Sequence, residues 1–69
     1  MINAGKVSGK DTILEIGPGQ GNLTEELLTT GAKIISVEKD DRLIEPLKEK
    51  FRKEIRSKKL ELIHGDISP

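Results

Sequence analysis

Apolar positions along this chain recur with two alternating spacings. Thr12-Ile13-Leu14-Glu15-Ile16 is short, β-branched and mostly apolar, and a glycine-rich turn follows it. Such a run predicts a buried strand of the parallel type. Ile34-Ile35-Ser36-Val37 and Leu60-Glu61-Leu62-Ile63 repeat the pattern. Between the first two runs, Leu23, Leu27 and Leu28 fall at helical spacing. Asn22 is placed to cap that helix, with Glu25 completing a pair like a capping box. Thr29, Thr30 and Gly31 should stop it, Gly31 as a left-handed cap. Between the second and third runs, Ile44, Leu47, Phe51 and Ile55 form one apolar stripe at steps of 3, 4 and 4, which predicts a second helix. Asp40 and Asp41 favour its start. Pro46 suits a first turn and not an interior, so the regular helix is expected to begin late, near Leu43 to Glu45. Met1 to Asp11 lacks periodicity and reads as a lead-in.

Strand, helix, strand, helix, strand at this spacing is two βαβ units sharing a middle strand. The expected fold is α/β and Rossmann-like: three parallel strands in the order 3-2-1, centred on Leu14, Ile35 and Leu62. Right-handed crossovers that step the same way put both helices on one face. The other face should then be apolar and bare, to be covered by further chain or by self-association of a second copy.

With 69 residues, the chain is one small domain at most. It has no cysteine, so it has neither disulfides nor a thiolate metal site. No apolar run approaches the roughly 18 residues of a membrane span, and no signal peptide is evident. Asn22-Leu23-Thr24 matches a glycosylation sequon by chance. The net charge is zero but unevenly spread. Residues 1–47 carry five basic and eight acidic side chains, giving −3, and residues 48–69 carry seven basic and four acidic, giving +3. The basic cluster, Lys48 to Lys59, reads first as a solvated helix face with cations near a helix C-terminus. An RNA-facing patch is the other reading.

The chemistry concentrates in Glu15-Ile16-Gly17-Pro18-Gly19-Gln20-Gly21, between a strand and a helix. Glycines let the backbone turn sharply and leave no side chain between it and a ligand, and N–H groups at a helix start favour negative charge. A dinucleotide cradle has the spacing G-x-G-x-x-G/A. Here the third glycine comes one position early, which suits a loop close to an adenosyl-amino-acid ligand instead. Glu38 lies 21 residues after Gly17 at a strand end, where it either accepts ribose hydroxyls or caps the next helix. Asp66 either accepts from an adenine amino group or is a turn aspartate beside Gly65. Ile67 packs on an adenine face or belongs to the core. Glu15 anchors the loop through backbone N–H groups or reaches the ligand's amino end. His64, the single histidine, lacks a partner base or nucleophile and reads as structural. No catalytic residue and no metal cluster is expected.

Taken together, Glu15-Ile16-Gly17-Pro18-Gly19-Gln20-Gly21-Asn22-Leu23-Thr24, Val37-Glu38-Lys39-Asp40, Arg42-Leu43 and His64-Gly65-Asp66 resemble the ribosomal RNA adenine dimethyltransferases (the KsgA family). That family includes the eukaryotic and mitochondrial dimethyladenosine transferases and, more distantly, the Erm resistance methylases. The resemblance covers Lys10 to Ile67. It implies an S-adenosylmethionine-dependent methyltransferase that converts two adjacent adenines of small-subunit rRNA to N6,N6-dimethyladenosine. Gly17, Gly19 and Gly21 would then lie along the methionine part of the cofactor, Glu38 would hold the ribose and Asp66 the adenine. It also implies a cytoplasmic protein, mitochondrial or nucleolar if eukaryotic, with the small-subunit rRNA or pre-ribosomal subunit as partner. The family's Gln-Asn-Phe-Leu stretch, its Asn-(Leu/Ile)-Pro-Tyr motif and its C-terminal helical domain are absent from residues 1–69. The chain is therefore expected to be a partial cofactor-binding domain, inactive alone.

Overall fold

The computed structural model describes residues 9–67; most of the lead-in expected over Met1 to Asp11 lies outside them. The elements follow as β1 (Thr12–Ile16), α1 (Asn22–Leu28), β2 (Lys33–Glu38), α2 (Asp41–Lys50), α3 (Arg52–Arg56) and β3 (Leu60–His64). The sheet is parallel throughout, in the order β1-β2-β3. Leu14 pairs with Ile35, which pairs with Glu61. This is the expected architecture, and each strand ends within a residue of its apolar run.

Alternation along the strands splits the sheet into two unlike faces. Toward the helices point Ile34 and Leu60, which join Leu27, Ala32, Leu47 and Phe51 in the core. The opposite face carries Leu14, Ile16, Ile35, Val37 and Ile63. Leu14 is 59% and Ile16 54% exposed there. The expectation of an apolar, bare face is met only in part: Lys33 and Glu61 pair across it at 4.0 Å, and Val37 is buried at 7% exposure.

The helices depart from expectation in three places. Asn22 is not the cap of α1 but its first residue; Gly21 takes the cap position at φ 91°, with no side-chain cap bond. Glycine adopts that left-handed backbone at little cost, and this draws Asn22 into the helix. The buried stripe of α1 is Thr24 and Leu27, while Leu23 stays half-exposed, because Thr24 finds a partner inside. The sequon threonine is thus interior.

Second, α2 begins at Asp41, not near Leu43, with Asp40 as cap accepting from the Arg42 N–H at 3.0 Å. Pro46 sits inside the helix on its solvent side, where the N–H it lacks would have served only the Arg42 carbonyl. Third, the stripe spans two helices. Phe51 breaks the regular backbone at φ −109° and ψ 28°, and α3 follows. The Phe51 N–H still reaches the Leu47 carbonyl and the Phe51 carbonyl still receives Ile55, so the ring remains in the core at 3% exposure.

Gly21 is where this packing is tightest. A Cβ there would lie 2.6 Å and 2.9 Å from two Phe51 ring carbons. Gly21→Ala should therefore destabilise the protein by about 2–4 kcal/mol, left-handed strain plus overpacking. Gly31→Ala, also at positive φ but with its nearest neighbour at 3.5 Å, should cost about 1–2 kcal/mol. Urea denaturation of both variants checks the difference; equal losses would contradict the contact with Phe51.

Candidate functional site

Parallel strands gather their carboxyl ends on one edge of the sheet, and the loops that leave them form a crevice there. Ile16, Gly17, Val37, Glu38, Lys39, Gly65, Asp66 and Ile67 line a cavity of about 130 Å³ at this edge. Four of the residues singled out from the sequence, Gly17, Glu38, Asp66 and Ile67, thus meet in one place. Ile67 is exposed at its rim and is not core. The larger recess of about 530 Å³ lies elsewhere, between α2, α3 and Leu62.

The glycine loop meets this cavity at Gly17. Gly17 and Gly19 have φ of 68° and 58°, and a Cβ on either would meet nothing within 4 Å. The backbone is therefore bare toward open space at both positions. The loop is nevertheless fastened: the Gly17 N–H donates to the Val37 carbonyl at 2.8 Å and Gly21 N–H to Pro18 O at 2.8 Å.

Glu38 holds the loop from the second strand. It is 5% exposed, so it is not a solvated helix cap. Its Oε1 accepts from the Gly19 N–H and its Oε2 from the Asp40 N–H, both at 3.0 Å. One carboxyl thereby joins the loop after β1 to the start of α2. Asp40 in turn receives the Arg42 side chain through two bonds of 3.1 and 3.0 Å. Those hydrogen bonds hold the Asp40 carboxyl below its ordinary range and raise the Arg42 guanidinium.

Glu15, Gly19 and Gly21, also expected at the ligand, do not line this cavity. Glu15 points to the helix face at 6% exposure. Its Oε1 accepts from Thr24 Oγ1 at 2.6 Å and Ser36 Oγ at 2.7 Å, not from loop N–H groups. Its Oε2 is buried with no hydrogen bond among the described residues. Alternation explains this: Glu15 stands between Leu14 and Ile16, which occupy the bare face. Gly21 packs on Phe51, as described above.

Lys50 escaped the sequence reading because it sat among seven basic residues taken as one surface. Its Nζ donates to the Gln20 carbonyl at 2.9 Å and pairs with Glu25 Oε1 at 2.8 Å. In the same cluster, Lys48 and Arg52 pair with Glu45 and Glu49 one turn away, as a solvated helix face would. His64 stands 3.9 Å from Asp41. Among the described residues no group of His, Cys, Asp and Glu is placed to hold a metal ion, and no helix is long and apolar enough to cross a membrane.

A three-stranded parallel sheet with a glycine loop and an acidic residue at successive strand ends is a Rossmann-like fold of the methyltransferase kind, as its solved neighbours show. A dimethyladenosine transferase from Plasmodium falciparum superposes with a TM-score of 0.76 at 39% identity, over 93% of this chain and 23% of its own. The 23S rRNA methyltransferase ErmE gives 0.75 at 33% identity, over 88% and 24%. A family model described as ribosomal RNA adenine dimethylase matches residues 1–68, and the chain belongs to that family. A probable ribosomal RNA small subunit methyltransferase A of Methanospirillum hungatei is 53% identical over 60 residues, 87% of this chain and 23% of the relative. The chain spans about a fifth to a quarter of the length of the curated relatives it matches.

The bonds on Glu15 Oε1 yield a coupled prediction. Thr24→Val and Ser36→Ala should each cost about 1–3 kcal/mol, the scale of a lost buried donor. Since either hydroxyl alone still satisfies Oε1, the double variant should lose at least about 0.5 kcal/mol more than the sum. Denaturation midpoints of the four proteins form the cycle; strict additivity would mean that the hydroxyls do not share that oxygen.

Proposed function

We propose that these residues form the cofactor-binding crevice of an S-adenosylmethionine-dependent rRNA adenine-N6,N6-dimethyltransferase acting on adjacent adenines of small-subunit rRNA. The observation that carries this reading is the bare cradle: two left-handed glycines with open space where a Cβ would stand, Gly17 lining one cavity with Glu38, Asp66 and Ile67 and Gly19 bonded to Glu38. Binding of S-adenosylmethionine needs such an approach of backbone to ligand, and its adenosine needs acceptors for hydroxyl and amino donors. The cavity of about 130 Å³ is below the roughly 300–1,000 Å³ usual for ligand sites, so it fits part of the cofactor, with the remainder along the glycine loop.

In this reading Glu38 accepts ribose hydroxyls on the carboxyl lone pairs left by Gly19 and Asp40, since each oxygen has two. Asp66 accepts from the adenine amino group and Ile67 covers the ring. The cofactor supplies an electrophilic methyl, so no protein nucleophile is required. What the chemistry requires of a protein is alignment of the adenine nitrogen with that methyl at about 3–3.5 Å and a surface to stack an extruded base. Phe51, the one aromatic residue, is buried in the core, so the base is held by groups other than the described residues. Residues 1–69 alone are expected to transfer no methyl group. The near-equal likeness to ErmE keeps a large-subunit adenine as the second reading.

The test incubates the whole protein with radiolabelled S-adenosylmethionine and unmethylated small or large ribosomal subunits. Label is expected in dimethyladenosine of the small-subunit rRNA. Glu38→Ala should weaken cofactor binding by about 1–3 kcal/mol. Label confined to the large subunit would shift the assignment to the second reading, and label in neither would overturn both.

A further inference from the structure

The crevice side of the glycine loop is tied by Glu38, but its rear is held by a residue no motif marks. Three glycines in five positions give residues 17–21 a wide choice of backbone shapes, and a receptive loop needs the one that sets Gly17 at the cavity and leaves Gly19 bare beside it. Lys50, at the end of α2, reaches thirty residues back along the sequence to donate to the Gln20 carbonyl at 2.9 Å. The same ammonium pairs with Glu25 on α1 at 2.8 Å and lies 5.5 Å from the centre of the Phe51 ring. That ring packs against Gly21, where a Cβ would lie 2.6 Å from it. The last residue of α2 and the one after it thus bear together on the back of the loop.

The two polar contacts are not equivalent. Glu25 and Lys50 are both partly exposed, at 56% and 35% of their side chains, and ion pairs of that kind contribute little. The bond to the Gln20 carbonyl comes from the same half-exposed ammonium, but it acts on the loop backbone directly, whereas Glu25 is tied only through its side chain. Gln20 lies between Gly19, whose N–H meets Glu38, and Gly21, which meets Phe51. Fixing its carbonyl fixes the peptide plane shared with Gly21.

We propose that Lys50 is a positioning residue for the cofactor: by holding the Gln20 carbonyl it keeps the glycine loop in its ligand-receptive shape. This rests on the cofactor reading above. Without the ammonium the loop samples other shapes, and the apparent affinity falls with the population of the receptive one.

The test uses the whole protein with S-adenosylhomocysteine as the probe, titrated into the wild type and the variants Lys50→Met, Lys50→Arg and Glu25→Gln. Amide exchange at Gly19 and Gly21 is followed in parallel without ligand. Lys50→Met should raise Kd about tenfold, as expected if the receptive population drops to about a tenth, and should speed exchange at both glycines. Lys50→Arg, which keeps a cationic donor, should restore affinity to within about threefold, and Glu25→Gln should resemble the wild type in both readouts. Wild-type binding with unchanged affinity in Lys50→Met would overturn the role of Lys50 alone. Glu25→Gln matching Lys50→Met would also overturn it, by assigning the effect to the link between helices. A wild type that fails to bind the probe would overturn the cofactor reading and the role of Lys50 with it.

Discussion

A carboxyl group with almost no access to water fastens three elements at one point. Glu15 on β1 receives Ser36 from β2 and Thr24 from α1 on a single oxygen. An isolated carboxyl in that position would be costly to bury, so the arrangement fails once both hydroxyls are gone and is at its most favourable when both arrive. That preference sets the register of β1 on β2 and the roll of α1 about its axis. Turning Thr24 inward leaves Leu23 in solvent and brings Gly21 under the Phe51 ring. The start of the glycine loop and the start of the helix after it are thereby placed relative to the second strand, where Glu38 waits.

Glu38 repeats the device one strand over, with backbone donors in place of hydroxyls. The pair divides the work between the two faces of the same problem. Glu15 sets where the loop leaves and re-enters the fold, and Glu38 sets the height of its middle. With Lys50 behind the loop, Gly17 and Gly19 are tied to the end of β2, Gln20 to α2 and Gly21 to the turn at Pro18. Such a loop keeps its shape without side chains of its own, which leaves the space above it clear for a ligand.

Strands and their order were legible because β-branched runs separated by helical spacings admit few topologies. Gly17, Glu38 and Asp66 were legible because parallel strands must bring their ends together. The helix-side partners of Glu15 were not legible, because one residue of alternation decides whether a strand side chain faces crevice or helix, and its place beside glycines drew attention to the loop instead. Gly21 looked like its two neighbours in the motif, yet its constraint comes from Phe51, thirty residues away and invisible to local pattern. The same distance hid Lys50. Pro46 misled because its cost depends on which side of the helix it occupies, and the stripe marked only the buried side.

The placement of charge along the strands has an electrical consequence. Lys33 opens β2, and Lys58 and Lys59 immediately precede β3, so these cations stand at the amino ends of the strands. Glu38, Asp40, Asp41 and Asp66 stand at the carboxyl ends, where Lys39 and Arg42 offset them only in part. A chain with no net charge is in this way a dipole directed along the sheet. A polyanion such as RNA exerts little net pull on such a body but a definite torque, felt within a screening length of about 8 Å at physiological salt.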